Sequence, residues 1–215
     1  MNLLIPSELD WAEKGFKLRQ DTQYPESQDV TLTVTAATPD EMALRLRIPG
    51  WLQSAPTVKL NEKALDASAA PGSYLTLRRV WKTGEKVMMH LPMHLHLEVM
   101  PDDSHTQAFL YGPLVLAGDL GAGGLTEAHI IGPNLRVGAP IPDQHGSPLG
   151  PVNRTPPVPD LEIPNLKGSG SDPSSWIKSG DKPLTFRTSG QRKDITLVPL
   201  NSLYDRRYSV YWEVS

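Results

Sequence analysis

Between Asp29 and Ala37 apolar and polar residues alternate. Val30, Leu32, Val34 and Ala36 share one face, and Thr31, Thr33 and Thr35 share the other. A period of two marks a half-buried strand. Met42, Leu44, Leu46 and Ile48 repeat the pattern against Arg45 and Arg47. Thr38-Pro39-Asp40-Glu41 turns the chain between them, so the two runs are expected to form an antiparallel hairpin. It ends at Pro49-Gly50-Trp51, because proline cannot continue a ladder. Tyr74–Trp81 and Glu85–Leu91 alternate in the same way and are joined at Lys82-Thr83-Gly84-Glu85. Leu95, Leu97 and Val99 alternate with His94, His96 and Glu98. Residues 108–120 are more continuously apolar, which suits a strand covered on both faces.

The remaining signals are shorter. Leu3–Ile5 reads as a short strand, Ser7–Trp11 as a turn and Gly15–Gln20 as the returning strand. Val58–Lys63 enters a tight turn at Asn61, a residue that tolerates the left-handed conformation. Leu184–Arg187, Ile195–Leu200 and Arg207–Val214 read as three late strands. On the last, Tyr208, Val210, Trp212 and Val214 share one face. Turn signals recur roughly every eight to twelve residues, the spacing of an all-β domain. The expected fold is all-β: an antiparallel, jelly-roll-like β-sandwich with a smaller C-terminal β-unit. Residues 121–160 hold eight prolines and seven glycines, which breaks any regular element. The expected organisation is therefore a sandwich over 1–120, a linker or surface excursion over 121–160, with at most one strand near Ile130-Ile131 or Arg136-Val137, and a β-unit over 161–215.

Composition narrows the function. A net charge of −3 over 215 residues gives no electrostatic case for nucleic acid or an anionic membrane. No run approaches the roughly eighteen apolar residues of a membrane span. The first residues are too short and uncharged to read as a secretory signal. The chain has no cysteine, so disulfides, thiolate metal sites and cysteine nucleophiles are excluded. The compartment is not assigned; a periplasmic or secreted parent is compatible with the sequence.

Three groups of motifs then point to a family. The first is Asn2–Leu9 (NLLIPSEL) with Leu18–Pro25 (LRQDTQYP) and Leu46–Trp51 (LRIPGW). The second is Tyr74, Arg78-Arg79-Val80-Trp81, Gly84-Glu85 and Val87, then Leu91-Pro92-Met93 and Tyr111–Gly118 (YGPLVLAG). The third is Leu197–Leu200 (LVPL) with Arg206–Trp212 (RRYSVYW). In this order and spacing they resemble the region downstream of the catalytic domain in glycoside hydrolase family 127, the β-L-arabinofuranosidase group. The resemblance implies a parent enzyme with an (α/α)6 barrel ahead of this region. It also implies a zinc-bound cysteine nucleophile and a glutamate acid/base in that barrel. Neither transfers to a chain without cysteine or a helical barrel. The expectation is a non-catalytic accessory module whose partner is the parent's own barrel, with no cofactor and no activity alone. The alternative is a self-sufficient carbohydrate-binding module.

Each candidate site residue also has a plain structural role open to it. His90, His94, His96 and Glu98 fall at even spacing, so an unbroken strand puts them on one face, where imidazole and carboxylate suit zinc. Pro92 interrupts that strand, which disfavours the site. Asp102-Asp103 with Glu98 or Asp119 are the available paired carboxylates, but a glycosidase needs its pair about 5 to 9 Å apart across a cleft. Adjacent aspartates in a turn point apart. Aromatic faces stack on sugar rings. Trp81 and Trp212 lie on apolar strand faces and are expected in the core; Trp51 and Trp176 lie in loops and are the candidate carbohydrate platforms. Arg79 shares a face with Leu75, Leu77 and Trp81, so it needs a carboxylate, Glu85 or Asp119.

Overall fold

The computed structural model describes residues 1–66, 69–126, 129, 162–168 and 172–215. Eleven strands precede Gly121: β1 (Ser7–Trp11), β2 (Phe16–Thr22), β3 (Asp29–Ala36), β4 (Glu41–Arg47), β5 (Thr57–Leu60), β6 (Lys63–Ala64), β7 (Tyr74–Val80), β8 (Lys86–His90), β9 (Leu95–Val99), β10 (Thr106–Tyr111) and β11 (Leu114–Asp119). Five described strands follow: β12 (Ile177–Ser179), β13 (Phe186–Thr188), β14 (Thr196–Pro199), β15 (Tyr208–Ser209) and β16 (Tyr211–Glu213). The fold is all-β and built of antiparallel sheets. The strands expected at Ile130-Ile131 or Arg136-Val137, and most of the linker expected over 121–160, lie outside the described residues. The chain divides into two compact units, Met1–Glu98 with Phe109–Val115, and Val99–Ala108 with Leu116–Ser215. The compact units thus interleave along the chain.

The first unit is built on a six-stranded sheet in the order β1-β2-β3-β8-β5-β6 and a two-stranded sheet of β4 and β7. Phe16, Leu18, Val30, Leu32, Val34, Val58, Val87 and Met89 point from the large sheet into one core. Leu46 and Leu75 enter the same core from β4 and β7, and Trp81 follows them. Each such side chain contributes about 1.5–3 kcal/mol by leaving water. This is a sandwich, but its strand connections differ from the expected ones. β3 pairs with β2 and β8, whereas β4 pairs with β7. The expected β3–β4 hairpin is therefore a crossing from one sheet to the other. The Lys82–Glu85 turn between β7 and β8 is a second crossing. Alternation requires only that one face be buried, and both sheets meet that requirement.

The N-terminal assignment also changes. Ser7–Trp11 is a strand, paired with β2 from Ser7↔Gln20 to Trp11↔Phe16, and not the expected turn. Leu3–Ile5 is not a strand. The buried Gln20 amide takes the carbonyls of Leu3 (3.0 Å) and Ile5 there, in place of a ladder. The tight turn after β5 is as expected: Asn61 and Glu62 have φ of 47° and 68°, the pairing that a two-residue hairpin loop requires. Asn61 is also tied to Lys86 through its backbone N–H and its side-chain oxygen, both at 2.9 Å.

In the second unit the sheet order is β12-β13-β14-β11-β10-β16, with β15 also pairing with β11. Leu116 and Ala117 are adjacent and both fully buried, so β11 is covered on both faces. Phe186, Ile195, Leu197 and Trp212 are buried in the same unit. The single strand expected over Arg207–Val214 is two strands. β15 pairs with Gly118 and Asp119, while β16 pairs with Thr106–Ala108. The break falls at Val210, where the buried Ser209 hydroxyl donates to the Tyr211 carbonyl at 2.7 Å.

Candidate functional site

The histidines do not converge. β8 ends at His90 and β9 begins at Leu95, so His94 lies in the connection and His96 on another strand. His90 Nδ1 is 2.8 Å from Asp29 Oδ1, and His94 Nε2 is 3.1 Å from Ser54 Oγ. His96 Nδ1 lies 3.3 Å from the His94 carbonyl. Glu98 is exposed near the end of β9. Among the described residues no three His, Asp or Glu side chains are grouped as a metal ion would require.

The acidic residues have local roles. Asp103 accepts from the Thr106 hydroxyl at 2.6 Å and the His105 N–H at 2.9 Å. The Thr106 hydroxyl, then the His105 amide, hold its carboxyl below the usual aspartate range. A glycosidase general acid needs the opposite shift. Asp119 accepts from Arg206 at 2.8 and 3.1 Å and from the Gly121 N–H at 2.9 Å. Arg79 Nη2 pairs with Glu85 Oε1 at 2.8 Å, so Glu85 is the carboxylate that the sequence required.

The tryptophans separate by exposure. Trp81 and Trp212 are buried, as expected. Trp176 is 5% exposed, which leaves no open ring face. Trp51 is half-buried and stacks on Tyr24, with centroids 6.4 Å apart and planes at 20°. Burial pushes the Tyr24 hydroxyl above its usual range.

One opening in the first unit involves none of these candidates. It is a groove of about 660 Å³ lined by Met1, Leu9, Trp11, Phe16, Met42 and Leu44, among others. Six strands face two, so among the described residues part of the large sheet's inner face has no strand over it. Leu9 pairs with Leu18 and Trp11 with Phe16, which puts all four on that face. Leu18 and Phe16 are buried, but Leu9 is 48% and Trp11 43% exposed. Reading Ser7–Trp11 as a turn concealed this. The signal was the alternation of Leu9 and Trp11 with Glu8 and Asp10.

Residues 1–93 match a family model described as the β-L-arabinofuranosidase, GH127 middle domain, and residues 96–214 match a domain of unknown function, DUF4986. The chain belongs to the DUF4986 family, with a GH127-like middle domain ahead of it. The junction of the GH127 match and the DUF4986 match falls at 93–96, at the start of β9. Three solved structures share this fold. A protein titled glycoside hydrolase gives a TM-score of 0.62 at 16% identity, over 97% of this chain and 34% of that one. Ara127N-Se, a GH127 β-L-arabinofuranosidase from Geobacillus stearothermophilus T6, gives 0.60 at 20% identity, over 99% and 33%. The GH127 β-arabinofuranosidase BT3674 gives 0.60 at 19% identity, over 98% and 33%. This GH127-like chain thus spans about a third of their length. No curated protein matches it.

Proposed function

We propose that this chain is a non-catalytic accessory module of a family-127-like glycoside hydrolase, packed against a catalytic barrel of the same parent and supporting it. The observation that carries this reading is the tandem match, GH127 middle domain and then DUF4986, across nearly all of the 215 residues. The nucleophile implied by the family resemblance is a cysteine, and this chain has none. Of the carboxylates considered as an alternative, Asp103 is engaged in a turn cap and Asp119 in an arginine pair. The test is hydrolysis of chromogenic arabinofuranosides and galactosides. The chain alone is expected to release no product, and the parent-length protein to release it. Turnover by the purified chain would overturn the reading.

A second reading, carbohydrate binding, is favoured by one observation: Trp51 is partly open and held flat against Tyr24. It predicts retention in an affinity gel containing an arabinose-rich polysaccharide, with Trp51→Ala reducing that retention about ten-fold, the loss of one stacking contact. Equal mobility with and without the polysaccharide removes this reading.

A further inference from the structure

The groove in the first unit has an apolar wall on one side and an unpaired strand edge on the other. The wall is the inner face of β1, with Leu9 and Trp11. The edge is β4, whose one strand partner among the described residues is β7. Asp40 through Leu46 all line the groove. Consecutive residues do so because the strand presents its edge there, and not one of its faces.

That edge already carries the start of a ladder. The Met1 amino group donates to the Arg45 carbonyl at 2.6 Å, and the Arg47 N–H donates to the Met1 carbonyl at 3.2 Å. Two bonds to the residues flanking Leu46 are the pattern of a parallel bridge. Backbone groups alternate in direction along a strand. Arg45 and Arg47 point outward, so Ala43 and Glu41 do too. The next bonds in a parallel sense are to the Arg45 N–H and the Ala43 carbonyl. Burial and the Arg45 guanidinium hold the Met1 ammonium below its usual range. A neutral peptide N–H makes the same bond to Arg45 without that cost. An edge of free N–H and C=O beside an apolar wall is the arrangement used in strand addition.

We propose that this groove takes one further β-strand: an extended segment joined ahead of Met1, running parallel to β4, bonded to Arg45 and Ala43 and packing apolar side chains on Leu9 and Trp11. The inference rests on the reading of the chain as part of a longer hydrolase, and it names the surface that the upstream portion uses. Its occupant follows from continuity with the Met1 bridge, which sets both the edge and the direction.

The test compares amide hydrogen exchange in this chain and in the parent-length protein. The Ala43 and Arg45 amides are expected to slow by on the order of ten-fold or more in the longer protein. Ala43→Pro removes an outward N–H and leaves the β7 bonds intact. In the parent-length protein it is expected to return Arg45 exchange to the rate in the chain alone. Leu9→Asp, which alters only the apolar wall, is the companion variant and is expected to do the same. Equal exchange in the two proteins overturns the inference and leaves the accessory-module reading standing. Protection that appears in the chain alone and grows with its concentration shows a second copy on the edge, and also overturns it. A gene with no coding sequence ahead of Met1 overturns both.

Discussion

Trp212→Ala is expected to destabilise the second unit by about 3–5 kcal/mol, the range for removing a buried aromatic side chain. Trp212 is 1% exposed, and the close approach of its ring requires a glycine. A Cβ at Gly118 would lie 2.3 Å from Trp212 Cζ2, 2.5 Å from Cη2 and 2.9 Å from Ile195 Cγ2. The ring has no room to retreat in a packed sheet, so Gly118→Ala is expected to cost about 1–3 kcal/mol by overpacking. The two effects are coupled. With a smaller residue at 212, the methyl at 118 enters space the indole has left. The double variant Gly118→Ala/Trp212→Leu should therefore cost less than the sum of its parts. Because the chain has two compact units, a single unfolding midpoint is a poor readout. Amide exchange at residues 116–118 and 212 measures the local loss. Additive costs would show that Gly118 is needed for some reason other than the indole.

Glu85→Ala is expected to cost the first unit about 2–3 kcal/mol. Glu85 is 9% exposed. Its two oxygens have different tasks: Oε1 pairs with Arg79 at 2.8 Å, and Oε2 accepts from the Lys82 N–H at 2.9 Å. Removing the carboxylate leaves an unsatisfied backbone donor and a partly desolvated guanidinium. The Arg79 side chain is 36% exposed, so water recovers part of the loss. Arg79 also lies 5.3 Å from the Trp81 ring centroid, which holds it in place. Glu85→Gln keeps an acceptor for Lys82 and loses the charge, so about half the cost is expected. Amide exchange along β7 and β8 checks the order Ala, Gln, wild type. Equal costs for the two variants would show that the ion pair, and not the turn cap, is the main contribution.

These two sites differ in how far they could be read in advance. The Arg79–Glu85 pair was legible because a charged residue on an apolar face must find a partner, and the turn placed one nearby. Asp119, the other candidate, is taken by Arg206, which lies 87 positions away. Gly118 could not be read, since the contact that requires it joins β11 to a residue on β16. The histidine face depended on an unbroken strand, and Pro92 already counted against it. Even spacing puts residues on one face only while the strand continues, and here it stops at His90.

The sequence by itself determined which residues face inward. Alternation in β2, β3, β7 and β8 corresponds to alternating burial, and the continuous apolar run at β11 corresponds to cover on both faces. It also determined the family resemblance, through motifs whose order and spacing span both matched regions. Only the tertiary structure decided which strand pairs with which. Burying one face of a strand is a local requirement that any apolar layer can meet, whereas pairing depends on partners far along the chain. That is why the hairpin expected between β3 and β4 is a sheet crossing, as is the Lys82–Glu85 turn between β7 and β8. For the same reason the groove beside β1 was not legible: it exists because six strands face two, and that imbalance is a property of the layers and not of any one strand.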